Sequence, residues 1–291
     1  MRSFASVFSI AILCISSAVS LAQAVPAAIF TDPTVDAAHP AQMSVLHIPS
    51  HGVEIIGLIY APSGAGPHPT LIICHGLPGN EKNLDLAQAV RRAGWNAVTF
   101  NYRGSWGSPG NFRFAQNLQD ADAVLAFLRA PANAAKYGID TKRIAIAGHS
   151  MGGWVTAHVA SHDHNLIGAI LISAADMSHL PGNPPHQELV TLMADDMESL
   201  NGVTAAGMAD EVTANAKTFE LAGTVDGLSK LPLLVLSADD GLAPTTDALV
   251  AAIKAKGSQQ VTAIHAATDH GWSDHRIYLE STIINWLAEL K

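Results

Sequence analysis

The sequence predicts a doubly wound, mostly parallel α/β sheet with a small inserted helical cap. Short apolar runs bounded by turn residues recur along the chain, and a strand covered on both faces of a parallel sheet reads as such a run. Stretches of helical spacing separate them, as the crossovers between parallel strands require. One interval, Asp176 to Lys230, carries no strong strand run and is too long for an ordinary loop.

At the N-terminus, Arg2 precedes a stretch from Phe4 to Leu21 that is apolar or small throughout, and Ala22-Gln23-Ala24 follows in a small-x-small pattern. This predicts a signal peptide over residues 1–24 and an exported mature chain, periplasmic or secreted. An uncleaved anchor is the alternative, because the run just reaches spanning length. Its Ser and Ala content, with no basic stop signal after it, favours cleavage and no stable membrane anchor. Val25 to Ala41 has no periodicity and reads as a lead-in. Ser44–Ile48 and Val53–Tyr60 then form two strands around the turn Pro49-Ser50-His51-Gly52.

Beyond a Gly/Pro loop, apolar runs lie at Thr70–Cys74, Trp95–Phe100, Arg143–Ala147, Ile167–Ile172, Leu231–Leu236 and Val261–Ile264. Helical stretches separate or follow them. Asn83–Ala93 places Leu84, Leu86, Ala87 and Val90 at helical spacing and stops at Gly94, a natural C-cap. Asn117–Arg129, Trp154–Ser161 and Asp274–Leu290 are the others. Within the long interval, Gln187–Leu200 and Ala205–Leu221 are helical fragments, so residues 176–230 are expected to cap the end of the sheet, where active-site lids often arise. Met177, Met193, Met197 and Met208 could line an adaptable acyl site there, or simply pack the cap on the body.

With 48% hydrophobic and only 14% charged residues, the chain can bury a core, which excludes global disorder. The 16 Lys and Arg against 25 Asp and Glu leave a net charge of −9, with no basic patch to neutralise phosphates, so a nucleic-acid partner is excluded. Loss of the signal segment removes Cys14 and leaves Cys74, which allows no internal disulfide. Cys74 ends a buried strand and is expected to be a small core residue.

Gly148-His149-Ser150-Met151-Gly152 follows one buried run and precedes a helical stretch. A serine on such a strand-to-helix turn has a strained backbone, which the flanking glycines permit, and its hydroxyl stands exposed at the sheet edge. The helix N-terminus beside it favours a developing anion. Ser150 is therefore the candidate nucleophile. It needs a base oriented by a third group. Asp239 and Asp240 follow the run ending at Leu236, and His270 follows the run ending at Ile264. All three types thus fall at the C-terminal ends of predicted parallel strands, where α/β sheets assemble their sites.

These segments resemble an α/β-hydrolase, most similar to prolyl-oligopeptidase-like and dienelactone-hydrolase-like serine hydrolases. The resemblance spans Ser44 to Lys291. It rests on His75-Gly76-Leu77-Pro78-Gly79, Asn101-Tyr102-Arg103-Gly104-Ser105-Trp106-Gly107-Ser108, Gly148 to Gly153, Asp239 to Pro244, and Asp269-His270-Gly271-Trp272. It implies Ser150 as nucleophile, His270 as base and Asp240 as acid, since the family acid stands four residues before a proline, here Pro244. Asp176 is the minor candidate for the acid, and His275 is expected to face solvent. The oxyanion hole would combine the N–H of Met151, directly after the nucleophile, with that of Leu77, which the resemblance points to. His75 is expected to shape that loop.

The expected activity is cleavage of a carboxylic ester, or a related acyl bond, through an acyl-enzyme on Ser150, with no cofactor and no metal. The substrate would be a small-molecule ester, a lactone or a short peptide, acted on by a monomer or small homo-oligomer. A prolyl-oligopeptidase-type serine peptidase is the alternative. The short stretch before the first strand leaves no room for an access-limiting propeller, which favours the esterase. A non-catalytic binding relative is a more distant alternative, since candidates for all three catalytic positions are present. His158 and His162 share a helix face at metal-binding spacing, but no Glu accompanies them as in H-E-x-x-H, and solvated side chains at a helix end are the expectation.

Overall fold

The computed structural model describes residues 24–178 and 184–290. Apart from Ala24, the expected signal segment, with Cys14, lies outside them. After a short 3-10 turn at Ala27–Ile29, the chain runs β1 (Gln42–Ser50), β2 (Val53–Ala61), β3 (His68–Cys74), α1 (Leu84–Arg92), β4 (Asn96–Phe100), α2 (Phe114–Arg129) and α3 (Pro131–Tyr137). It continues with β5 (Ile139–His149), α4 (Met151–His162), β6 (Gly168–Ile172), α5 (His186–Ala194) and α6 (Ala205–Phe219). A second 3-10 turn, then α7 (Val225–Leu228), β7 (Leu233–Ala238), α8 (Ala243–Ala255), β8 (Val261–Ala266) and α9 (Arg276–Glu289) complete it.

The strands form one sheet in the order β1-β2-β4-β3-β5-β6-β7-β8. β1, β2 and β4 pair antiparallel, and every pair from β4 through β3 to β8 is parallel. The apolar runs are continuous because successive side chains serve two separate cores. Ile72, Ile144, Ile146, Leu171, Leu233 and Val235 join the core built with α2, α4 and α8. Their neighbours Leu71, Ile73, Ala145, Ile170, Leu234 and Leu236 join the core under α1 and α9. Each central strand is thereby fixed in register, since a slip of one residue would exchange the two faces.

Several boundaries differ from the sequence expectation, for physical reasons. β8 is the sheet edge and is half exposed, not covered on both faces. The helix expected over Gln187–Leu200 stops at Ala194, where Asp195 and Asp196 put negative charge at the negative end of the helix dipole. The helix expected over Ala205–Leu221 ends at Phe219, and its N-cap is Thr204, whose hydroxyl accepts from the Gly207 N–H at 3.0 Å. Unanticipated α3 begins on Pro131 and ends at Gly138 with φ 62°, the Pro-first, Gly-last asymmetry of a short helix. α5 and α6 lie between β6 and β7 and reach the body through Trp154, whose indole N–H donates to the Phe219 carbonyl at 2.7 Å.

One buried carboxyl on α9 gives a pH-dependent prediction. Burial, together with the neighbouring Asp85 carboxylate, pushes the pKa of Glu280 up to about 7. The folded state therefore holds this proton more tightly than the unfolded chain. The associated stability is full below the ordinary glutamate pKa and is lost as pH rises through about 7. Glu280→Gln should leave the melting temperature near wild type at about pH 5 and raise it above wild type at about pH 8. Thermal melts across that range check it.

Candidate active site

Ser150 sits between β5 and α4 with φ 58° and ψ −123°, a conformation unfavourable for a residue with a Cβ. Its neighbours hold it there. The Ser150 N–H donates to the Ile172 carbonyl at 2.9 Å, and its own carbonyl accepts from the N–H of Gly153 at 2.9 Å and of Ala175 at 3.1 Å. The flanking glycines are required by space: a Cβ on Gly148 would run into the Gly152 carbonyl, and one on Gly152 into the Cys74 carbonyl.

His270 lies on the loop after β8, and its Nδ1–H donates to Asp240 Oδ2 at 2.8 Å. Asp240, on the loop after β7, has a side chain only 3% exposed. Burial opposes its ionisation, but hydrogen bonds from His270, the Leu242 amide at 2.9 Å and Ser173 outweigh that, and its pKa lies below the ordinary aspartate value. Ser150 and His270 line one cleft, with no hydrogen bond between them among the described residues. Such contacts are often long in unliganded enzymes and tighten with substrate.

The two residues expected to supply backbone donors, Met151 and Leu77, both line this cleft. Met151 opens α4, so its N–H has no acceptor within the helix. Leu77 follows Gly76, where an added Cβ would stand 3.0 Å from Ser150 Cβ and 3.5 Å from its Oγ. The loop is rigidly held. His75, buried and with its pKa lowered by that burial to about 4, is neutral and donates from Nδ1 to the Gly76 carbonyl at 2.7 Å. The Pro78 carbonyl accepts from the Trp106 indole at 2.6 Å and from the Ser199 hydroxyl at 3.1 Å. Ser199 belongs to the cap, so the cap and the loop after β4 jointly fix this loop.

The cleft has a volume of about 270 Å³, and Leu77, Met151, Met177, Leu192, Met193 and Leu242 give it an apolar wall. A larger cavity of about 520 Å³ is bordered by Ile167, Leu231 and Pro232, at the N-terminal ends of β6 and β7. It is therefore at the opposite sheet edge from Ser150, away from where α/β sheets bind substrates.

The remaining candidates stand elsewhere. Asp239 pairs with the exposed His265 at 2.9 Å. Asp176 accepts from the Ser178 amide at 2.9 Å and the Leu221 amide at 3.2 Å, not from His270. His275 caps α9 beside Asp274. His158 bonds the Phe219 carbonyl and His162 pairs with Asp122, so the two are engaged separately. Among the described residues no three His, Cys, Asp or Glu side chains gather as metal ligands, and no helix is long and apolar enough to cross a membrane. Cys74 is buried, and burial pushes its thiol up to about 12, which makes it a poor nucleophile.

Two supporting side chains were not anticipated from the sequence. Ser173, just after β6, accepts from the Trp272 indole at 3.0 Å, and its hydroxyl helps to hold the Asp240 carboxyl below the ordinary aspartate range. His149 packs 4.6 Å from the His270 ring and donates from Nε2 to the His270 carbonyl at 2.8 Å. Burial lowers its pKa to about 4, so it stays neutral beside the candidate base. His149 lies within the elbow motif and could have been flagged. Ser173 had no signal beyond its place after a strand.

A family model described as BD-FAE matches residues 58–174, from β2 through the elbow. No curated protein matches the sequence. An esterase from the archaeon Pyrobaculum calidifontis superposes with a TM-score of 0.64 at 19% identity, covering 86% of each chain. Est1E from Butyrivibrio proteoclasticus, solved with ferulic acid bound, gives 0.66 at 19% identity, covering 84% of this chain and 98% of its own. The acylaminoacyl peptidase of Pyrococcus horikoshii gives 0.64 at 17% identity, with 86% of this chain spanning 41% of that one. With its strand order, its elbow turn and these likenesses, the chain has the α/β-hydrolase fold.

Proposed function

We propose that the protein is a serine hydrolase that cleaves a carboxylic ester through an acyl-enzyme on Ser150. The observation that carries this reading is the His270–Asp240 pair, 2.8 Å long, bordering one cleft with a serine on a strained elbow. His270 Nε2 takes the Ser150 proton as Oγ attacks the carbonyl carbon, and the tetrahedral oxyanion rests on the Met151 and Leu77 N–H groups. His270 then returns the proton to the leaving alkoxide. In the second half, it activates water to release the acid and restore Ser150. Asp240 holds the imidazole tautomer and stabilises its charged form.

The apolar wall suits a small acyl group and supports an ester over a charged polymer. The family match and the esterase likenesses support the same class. A fluorophosphonate probe should label the wild-type protein, and Ser150→Ala should abolish both labelling and hydrolysis of a chromogenic short-chain ester. Retained labelling would overturn the assignment, and faster cleavage of aminoacyl amides than of esters would make the protein a peptidase. We propose further that the mature protein is exported after cleavage at Ala24, which N-terminal sequencing of the processed protein tests.

A further inference from the structure

Among the described residues, the cap contributes one charged side chain to the wall of the cleft. Asp196 follows α5 and lines the same cavity as Ser150 and His270, among Leu192, Met193 and Met177. Three other cap carboxylates have partners: Asp176 takes the Ser178 and Leu221 amides, Asp210 pairs with His186 at 2.8 Å, and Glu211 accepts the Ala115 amide at 2.9 Å. Asp196 engages only its backbone, through its N–H to the Met193 carbonyl at 3.3 Å, and its carboxylate has no hydrogen-bond or ion-pair partner among the described residues. It is half-buried, and this burial, with Asp195 beside it, raises its pKa. A carboxylate drawn partly out of water without a partner costs folding energy that the fold itself does not recover.

The other acid on the cleft, Asp240, is already engaged by His270 and the Leu242 amide. A cation entering the apolar cleft would therefore meet Asp196, and an anion would be repelled by both acids. We infer that Asp196 is a specificity determinant that selects substrates carrying an ammonium group on the acyl portion filling this wall. The inference rests on the acyl-transfer reading of Ser150 and His270. It names the chemical class that the apolar residues leave open: a small cationic ester in preference to an uncharged one of the same shape.

The test uses two isosteric p-nitrophenyl esters, 4-(trimethylammonio)butanoate and 5,5-dimethylhexanoate, which differ in charge and not in shape. The readout is the ratio of their kcat/KM values in wild type divided by that ratio in Asp196→Asn, which cancels their different intrinsic reactivities. A quotient of about tenfold is expected, the scale of a charge contact discounted for partial exposure. A fluorophosphonate probe should still label Ser150 in the variant, which shows that it folds and that its catalytic groups are in place. Asp196→Lys, measured in the same way, should turn the preference toward the neutral ester. An unchanged ratio in both variants, with neutral-ester turnover intact and lost in Ser150→Ala, would overturn the role of Asp196 alone. Turnover of both esters that survives Ser150→Ala would overturn the acyl-enzyme reading and this inference with it.

Discussion

Replacement of His270 by alanine should lower kcat for a short-chain ester by about 10⁶, and Asp240→Asn by about 10⁴. The two effects differ because the groups do different things. Without His270, no other imidazole among the described residues of the cleft stands ready to take the Ser150 proton, and the hydroxyl remains a poor nucleophile. Without the Asp240 charge the imidazole is still present, but its Nδ1–H is no longer held by a carboxylate at 2.8 Å, and the wrong tautomer competes. Both losses should fall on kcat, with KM changed little, because neither group supplies the apolar wall. Ser173→Ala should cost only about tenfold, the scale of one hydrogen bond to a charged group. Asp239→Asn should remain close to wild type, since Asp239 meets only the exposed His265. Steady-state kinetics on the four variants check the order. Equal activity of Asp240→Asn and Asp239→Asn would overturn the choice of acid.

Asp120→Ala should destabilise the fold by about 3–5 kcal/mol, the cost of leaving one half of a buried ion pair. Asp120 on α2 is fully buried, and one oxygen accepts from Arg103 Nε at 2.6 Å and the Ser50 hydroxyl at 2.5 Å. Its other oxygen accepts from the Arg103 amide at 2.8 Å. Removing the carboxylate takes the counter-ion from a guanidinium that is only 8% exposed and keeps only its bonds to Gln116 and Gln119, and it leaves the Ser50 hydroxyl without its acceptor. For a domain of this size the loss corresponds to a melting temperature lower by roughly 10 °C. Arg103→Met in the same chain should recover part of it, because the uncompensated charge is then gone. The consequence reaches the active site as well. Arg103 tethers the loop that carries Trp106, and Trp106 holds the Pro78 carbonyl beside Leu77. Residual activity of the folded variant should therefore fall through kcat. Denaturant melts and kinetics below the transition separate the two effects.

The fold was legible in the sequence because local rules and burial agree over most of it. Thr70–Cys74 and Ile167–Ile172 read as buried strands because both of their faces are covered, and the covering helices carry apolar stripes of matching spacing. The rule failed at β8, whose apolar residues also form a short run although one side of the strand has no neighbour. Edge and centre are properties of the whole sheet, and no local window contains them. Ends of cap helices were misplaced for a related reason. α5 ends where two acids meet the helix terminus, although its apolar spacing continues to Leu200.

By itself the sequence determined the doubly wound sheet, the elbow at Ser150 and the positions of His270 and Asp240 after their strands. The elbow is marked by Gly148-His149-Ser150-Met151-Gly152, residues close together in the chain, and Asp240 by the family resemblance that places the acid four residues before Pro244. Only the tertiary structure decided that His270 reaches Asp240, not Asp239 or Asp176, because neighbouring carboxylates differ only in which way the loop turns them. It alone placed Ser173 and His149 beside the His270–Asp240 pair, since each bonds a partner distant in sequence, and set Asp196 on the wall of the cleft. Contacts of that kind depend on sheet order and on how the cap is seated, and neither leaves a local mark.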